Sequence, residues 1–223
     1  MPRILITTIL FLSVKAVALQ PFKAEYKVFK DGKEIGASSI ELQKDSSSYK
    51  IIDKTNGTHG MASFLGFKRS EVSLFDDIGN NFIPDFYQMK QKVAFKKRQS
   101  EYQVDAETQM VYGKYKSKPW QVKQPKSFTT PNLVALNLAR DICAVKTDDL
   151  NYTVLKRGKL VKYQFKITAK NDNIIEVDKI HSKPSRITKT WLDTQQNCIP
   201  VKTYHKEEDE DPLESKLEKV VFY

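Results

Sequence analysis

Val161-Lys162-Tyr163-Gln164-Phe165-Lys166-Ile167 alternates apolar and polar residues without a fault. Period-2 alternation places the apolar side chains on one face of an extended strand and the polar ones on the other. A helix of the same composition would spread both kinds around its circumference. Arg157-Gly158 precedes this strand as a turn, after another strand at 152–155. The pattern also opens the chain's first folded segment. There Phe22, Ala24, Tyr26 and Val28 alternate with Lys23, Glu25 and Lys27. Asp31-Gly32 supplies a tight turn, and 35–42 returns as the hairpin partner.

Working outward, strands are expected at 49–52, 69–75, 82–89, 93–104, 110–115, 187–192, 199–204 and 216–222. Asn56-Gly57 and Thr194-Gln195-Gln196-Asn197 read as turns, and Pro84 marks an edge or a bulge. One stretch is helical. Thr130 can cap it, and Pro131 fits a first position where the missing N–H costs nothing. Leu133, Leu136, Ala139 or Arg140, and Cys143 then recur at helical spacing, with Ile142 widening the stripe. The expected fold is mainly β: an antiparallel curved sheet or partly open β-barrel with one central amphipathic helix covering a mouth or face. No internal repeat or Ser/Gly-rich linker divides it, so 19–223 reads as a single β-barrel-like domain.

The 223 residues, 40% hydrophobic and 29% charged, are too apolar for a disordered chain. Eight Gly and nine Pro exclude collagen-like repeats, and two Cys exclude a disulfide-stapled miniprotein or a multi-cysteine metal site. At the start, Pro2-Arg3 precedes an apolar run at 4–14, and Lys15 leads into Ala16-Val17-Ala18. That is the form of a cleaved signal peptide over 1–18, the apolar run being too short to span a bilayer. No cysteine lies near the cut, so a lipoprotein is not expected, and no later segment could cross a membrane as a helix. Without Arg3 and Lys15 the formal charge falls from +10 to +8. In an oxidising compartment Cys143 and Cys198 are more often bridged than free; the alternative is two buried thiols that never meet.

With these elements placed, the chain resembles the uncharacterised exported bacterial proteins of domain-of-unknown-function family 3108. The resemblance rests on Phe22-Lys23-Ala24-Glu25-Tyr26 after the signal, Gly32, and Ile35-Gly36. It continues through Ser73-Leu74-Phe75, Ile83-Pro84 with Tyr87, Trp191-Leu192, and Pro200-Val201. Thr129-Thr130-Pro131-Asn132 depart from the Asp and Ser that the family often shows entering the central helix. The resemblance implies a periplasmic, mainly antiparallel β protein like a partly open barrel. It implies no established activity.

Catalytic chemistry is not signalled. There is no Gly-rich phosphate loop, H-E-x-x-H or G-x-S-x-G. His59, His181 and His205 have no ligand spacing, so no metal and no cofactor are expected. Asp76-Asp77 and Asp148-Asp149 sit beside turns, and adjacent carboxylates on a strand point to opposite faces. Two features invite a binding role. Met61-Ala62-Ser63-Phe64-Leu65-Gly66-Phe67 is apolar, non-alternating and bounded by glycines. It reads as a core plug or as a lid over a ligand, with Phe64, Leu65 and Phe67 as contacts. Tyr26, Phe86, Tyr163, Phe165 and Trp191 are expected at inner positions, where they line a pocket or fill a core. Basic residues crowd 90–98 and 114–126; Lys114, Lys116, Lys118, Lys123 and Lys126 would form a basic rim, or simply a wet strand face.

Two functional readings follow. The first is a periplasmic, non-enzymatic binding or carrier protein for an apolar or amphipathic envelope molecule such as a lipid. Its contacts would be Tyr26, Phe64, Leu65, Phe67, Tyr163 and Trp191. The second is an interaction module with a filled core, binding cell wall or an anionic surface polymer through its basic face. A hydrolytic enzyme would need polar residues clustered in a cleft. Nucleic acid is not an expected partner, since no recognition motif is present.

Overall fold

The structure is a computed structural model that describes residues 19–79, 81–145 and 147–223. The expected signal peptide at 1–18 lies outside them. The first eight strands are β1 (Phe22–Lys30), β2 (Lys33–Asp45), β3 (Ser48–Gly57), β4 (Lys68–Ile78), β5 (Asn81–Val93), β6 (Lys96–Asp105), β7 (Met110–Tyr115) and β8 (Lys118–Lys123). After a helical connection come β9 (Asn151–Lys156), β10 (Lys159–Asn171), β11 (Ile174–Ile180), β12 (Ile187–Asp193), β13 (Ile199–Lys206) and β14 (Leu213–Phe222). All fourteen belong to one antiparallel sheet. Two local meanders, β1 to β8 and β9 to β14, are joined where β1 pairs with β14, Phe22 facing Phe222 and Ala24 facing Val220.

The turns explain the hairpins. Asp31 and Gly32 both take positive φ, as do Arg157 and Gly158, the conformation whose twist matches paired strands. Pro84 sits where the β4–β5 register shifts, so its missing N–H falls at a bulge. The long strand expected at 93–104 is instead broken. Ala94 adopts φ of 50° and turns the chain from β5 into β6. β8 and β11 were not marked by the sequence pattern. β8 reads Lys-Pro-Trp-Gln-Val-Lys and shows only two apolar inner residues, Trp120 and Val122.

The sheet curls until its edges meet, but no ladder joins β8 to β9. Side chains close this seam instead. Leu155 of β9 packs with Tyr87, Met89, Tyr102 and Val111, and Trp120 packs against the same cluster. Gly158 lies against the Trp120 ring, and the Arg157 guanidinium sits 4.4 Å from the centre of the Tyr115 ring. Thr129 adds a single parallel bridge to Val154, with Thr129 N–H donating to Thr153 O and Leu155 N–H to Thr129 O.

The helical connection follows this bridge. A 3-10 turn (Pro131–Leu133) leads into α2 (Val134–Ala139), which runs on as a π-helical turn (Arg140–Val145). Thr130 caps the start, its hydroxyl accepting from Leu133 N–H at 3.2 Å. Leu133 and Leu136 pack on Phe22, Tyr49, Phe75 and Phe82, while Val134, Leu138 and Ile142 pack on Val154, Val177 and Leu192. The stripe therefore touches both meanders and stoppers one end of the barrel. Cys143, past α2, is bonded to Cys198 before β13, with Cα atoms 6.4 Å apart. No helix among the described residues is long and apolar enough to cross a membrane.

Candidate functional site

The ladder registers give each strand an inner face. Phe22, Ala24 and Tyr26 on β1 stand opposite Leu42, Ile40 and Ser38 on β2, and Ile51, Asp53 and Thr55 continue the rows on β3. Toward the α2 end these rows are apolar and buried; toward the opposite end they turn polar. There Thr188, Thr190, Thr203, His205 and Ser215 share the inner face on β12 to β14, all half-buried.

Between the helical connection and the inner face of β1 to β3 lies a cavity of about 340 Å³. Phe22, Ile40, Ile51, Phe82, Leu136 and Phe222 supply apolar wall. The Cys143–Cys198 bond forms part of its lining, tying the helical wall to the strand wall. Three of its polar atoms are unpaired. Tyr26 Oη, Asn132 Nδ2 and Asp77 Oδ1 are out of contact with solvent and have no hydrogen-bond partner among the described residues. Such orphaned groups cost free energy unless a ligand or water satisfies them.

Asn132 is held by its other amide atom. Thr130 and Ser73 hydroxyls lie 2.9 and 2.6 Å from Asn132 Oδ1, and Thr130 and Ser73 are 2.8 Å apart. This buried triangle anchors the helix start to β4 and leaves Nδ2 unpaired. Ser73 has two neutral polar partners there and no adjacent base, so the arrangement is a cap, not a nucleophile's site. Arg140 is the one cation lining the cavity among the described residues. Asp141 holds its Nε at 2.7 Å, and its guanidinium stacks 4.9 Å from the Phe82 ring centre. Asp141 is held in turn by the Tyr152 hydroxyl at 2.8 Å.

Above the cavity sits an inward acid group. Asp53 Oδ1 is shielded from water and unpaired, although the residue as a whole keeps some exposure. Burial, then the neighbouring Glu71 charge, push the Asp53 carboxyl well above the usual carboxylate range. Burial, then Asp53, push the Tyr26 phenol up as well. Glu71 is engaged by Arg69 and by the Tyr87 hydroxyl at 2.6 Å. Farther along, Lys179 lies over the Tyr163 ring, its ammonium 3.0 Å from the ring centre. Burial, with Lys156 and Arg186 nearby, lowers Lys179 to about 8.

Of the expected contacts, Tyr26 alone lines the cavity. Tyr163 and Phe165 do face inward, but on the β9 to β12 side, against the other core cluster. Trp191 is a correction: it faces outward, donating to Glu176 at 3.0 Å with Lys202 over its ring. Phe86 is outward too, beside Leu74 and Gln103. In each case an adjacent apolar residue, Leu192 or Tyr87, takes the inner place. Phe64, Leu65 and Phe67 lie at the far end of the barrel in and after α1 (Gly60–Phe64), so they neither plug the core nor cover the cavity. The five lysines of the expected rim are all exposed but do not ring one mouth. Lys114, Lys116 and Lys118 cluster about the β7–β8 turn, whereas Lys123 and Lys126 lie toward the α2 end.

His181 and His205, unremarkable in sequence, are brought together on one side of the barrel. Each lies 2.9 Å from the Thr188 hydroxyl, and His205 continues to Glu207 at 3.1 Å. The signal for this lay in strand register, which sequence spacing does not carry. Among the described residues no group of three His, Cys, Asp or Glu side chains could hold a metal ion.

Known proteins add the fold. No protein-family model matches the chain, and no curated protein is similar to it. A beta-barrel-like protein of domain of unknown function DUF1849 from Brucella abortus is similar in structure, with a TM-score of 0.56 at 11% identity. The match covers 92% of this chain and 98% of that one. A "putative lipoprotein" from Parabacteroides distasonis overlaps 91% of this chain and 96% of its own, with 9% identity and a TM-score of 0.29. The chain thus has the fold of a beta-barrel-like bacterial protein whose own function is unknown.

Proposed function

We propose that this protein is a non-enzymatic binding or carrier protein that holds an apolar or amphipathic envelope molecule in the cavity under α2. The observation that carries the reading is an apolar cavity of about 340 Å³ with buried, unpaired polar groups on its wall. Specific small-molecule pockets have this makeup: mostly apolar wall, a few convergent polar atoms, and a volume of roughly 300–1,000 Å³. Tyr26 O–H, Asn132 N–H and the Arg140 guanidinium favour a ligand whose polar end accepts hydrogen bonds, and Asp77 Oδ1 favours a hydroxyl or amide donor on it, with its hydrocarbon against Phe22, Ile40 and Leu136.

We further propose export to the periplasm through cleavage after the segment 1–18. The Cys143–Cys198 bond supports that location, because such bonds persist in oxidising compartments.

The test uses protein released from the periplasm without detergent. Native mass spectrometry with solvent extraction should find a discrete bound apolar molecule, and a pyrene-labelled fatty acid should bind the stripped protein. Ala135 lines the cavity from α2, so Ala135→Phe fills open space rather than packed core. Probe binding should fall at least about tenfold in this variant. Unchanged binding by a normally folded Ala135→Phe protein would refute the site. An amino terminus that retains 1–18 would refute the export reading alone.

A further inference from the structure

On its β3 to β6 side, the end of the barrel remote from the cavity carries three strongly exposed apolar side chains. Met61 is 67% exposed, Phe64 82% and Phe95 100%. They come from two connections that touch: the β3–β4 connection holding α1, and the β5–β6 turn. Ala94 N–H of that turn donates to Leu65 O at 2.6 Å. The projection is built into the backbone. Phe67 N–H donates to Ala62 O, Gly57 N–H to Phe67 O, and Thr58 N–H to Ile35 O. Gly57 lets α1 seat this closely, since a Cβ there would lie 2.5 Å from the backbone of Ala62. Apolar groups held outward by a fixed loop are not a frayed core.

Cations flank this knuckle. On the outer face the ladder aligns Lys68, Lys92 and Lys97 in one row next to the turn. The next row inward along the strands brings Lys54 and Lys90 together across Ser70. These five lysines line an outer groove of about 340 Å³ in which no described side chain is acidic. Among the described residues none of these five lysines is in an ion pair, although ion pairs are frequent on β11 to β14. The acidic run Glu207-Glu208-Asp209-Glu210-Asp211 lies at the same end but beyond β1, between β13 and β14. This end therefore carries a basic and apolar patch on the β3 to β6 side and an acidic loop between β13 and β14.

We propose that the β3 to β6 side of this end docks on an anionic phospholipid surface. Met61, Phe64 and Phe95 enter the interface while Lys68, Lys92 and Lys97 meet phosphate headgroups. Aromatic and apolar tips with neighbouring cations are the combination that binds such a surface. A soluble polyanion would use the lysines and have no use for a fully exposed Phe95. The acidic loop tilts the barrel so that it faces away from the bilayer. This docking stands independently of the carrier reading, since the cavity opens at the other end.

Flotation of the full mature chain with vesicles of phosphatidylethanolamine and phosphatidylglycerol tests the proposal. Phosphatidylcholine vesicles serve as the neutral control. The wild type should float with the anionic vesicles and weakly with the neutral ones. Phe64→Ser with Phe95→Ser should weaken binding at least about tenfold, since a buried phenyl contributes that much or more. Lys92→Gln with Lys97→Gln should weaken it roughly 25-fold at low salt, about fivefold per cation. All four side chains are exposed, so both variants should melt within about 2 °C of wild type. Wild type that binds both vesicle types equally, or neither, overturns the proposal. So does a phenylalanine pair variant that floats as well as wild type; if the lysine variant is then the weaker, the surface belongs to a soluble polyanion.

Discussion

Removing the Cys143–Cys198 bond is the perturbation whose size follows most directly from the structure. The bond closes a loop of 55 residues. Chain-entropy arithmetic for that length gives about 4 kcal/mol of stabilisation through the unfolded state, before any relief of native strain. In a domain of this size each kcal/mol moves the melting temperature by roughly 2–4 °C. Cys143→Ala with Cys198→Ala should therefore lower Tm by about 8–16 °C. The loss should also be local, because the bond ties the end of the helical connection to the strand wall of the cavity. Hydrogen exchange should accelerate in 131–145 before it does in β4 to β6, which are held by their own ladders. Differential scanning calorimetry of the variant, and of wild type with and without reductant, separates the cross-link from the small packing loss at fully buried Cys198. A shift below about 2 °C in both reduced wild type and variant would refute the entropic reasoning. Two free thiols in denatured, unreduced wild type would remove its premise.

Other consequences are quicker to state. Asp53→Asn should raise the urea midpoint at pH 7.5. The folded state holds the Asp53 proton more tightly than the unfolded chain, so wild-type stability falls as pH rises from the ordinary carboxylate range toward the raised value. That contribution should vanish in the variant; an equal pH slope in both proteins would show that Asp53 ionises freely. Thr130→Ala should cost about 2 kcal/mol in equilibrium unfolding, because it removes both the cap to Leu133 and a member of the buried triangle with Ser73 and Asn132. A change under about 0.5 kcal/mol would mean the helix start is held by packing alone. Gly57→Ala should displace α1 and reduce anionic vesicle binding while leaving fatty-acid binding intact. Loss of both together would couple the two ends of the barrel.

The sequence reading succeeded where a single period sufficed. Strict alternation located β1 and β10, glycine turns located their hairpins, and Thr130-Pro131 located the helix start to the residue. It failed where two apolar residues stand side by side. Trp191-Leu192 and Phe86-Tyr87 each offer two phases, and only burial against the rest of the sheet selects Leu192 and Tyr87 for the inside. Short polar strands such as β8 carry too few apolar residues to show a period. The cavity was less legible still. Its wall combines Phe22, Phe82, Leu136 and Phe222 from positions spread along the chain, and its unpaired Asn132 looked like an ordinary helix-start residue. The apolar segment at 61–67 was noticeable in sequence, but its direction was not. A glycine at 57 and a backbone bond to the next turn decide that Phe64 points outward.

The place of β1 in the sheet has a temporal consequence. Each meander can zip up from neighbouring hairpins as it is delivered, yet β1 receives its second partner only when β14 arrives, the whole sheet later. A chain delivered amino-end first, from a ribosome or through a translocation pore, therefore waits with the edge of its first strand open. Lys23, Glu25 and Lys27 keep that waiting edge charged on its outer side, and Lys30 charges its far end. The same geometry ties the residue before β1 to the residue after β14 when the wait is over, Tyr223 N–H donating to Pro21 O at 3.0 Å. The last strand of the sheet thus locks the first in place. Until then, what protects the protein from its neighbours is the charge on one strand.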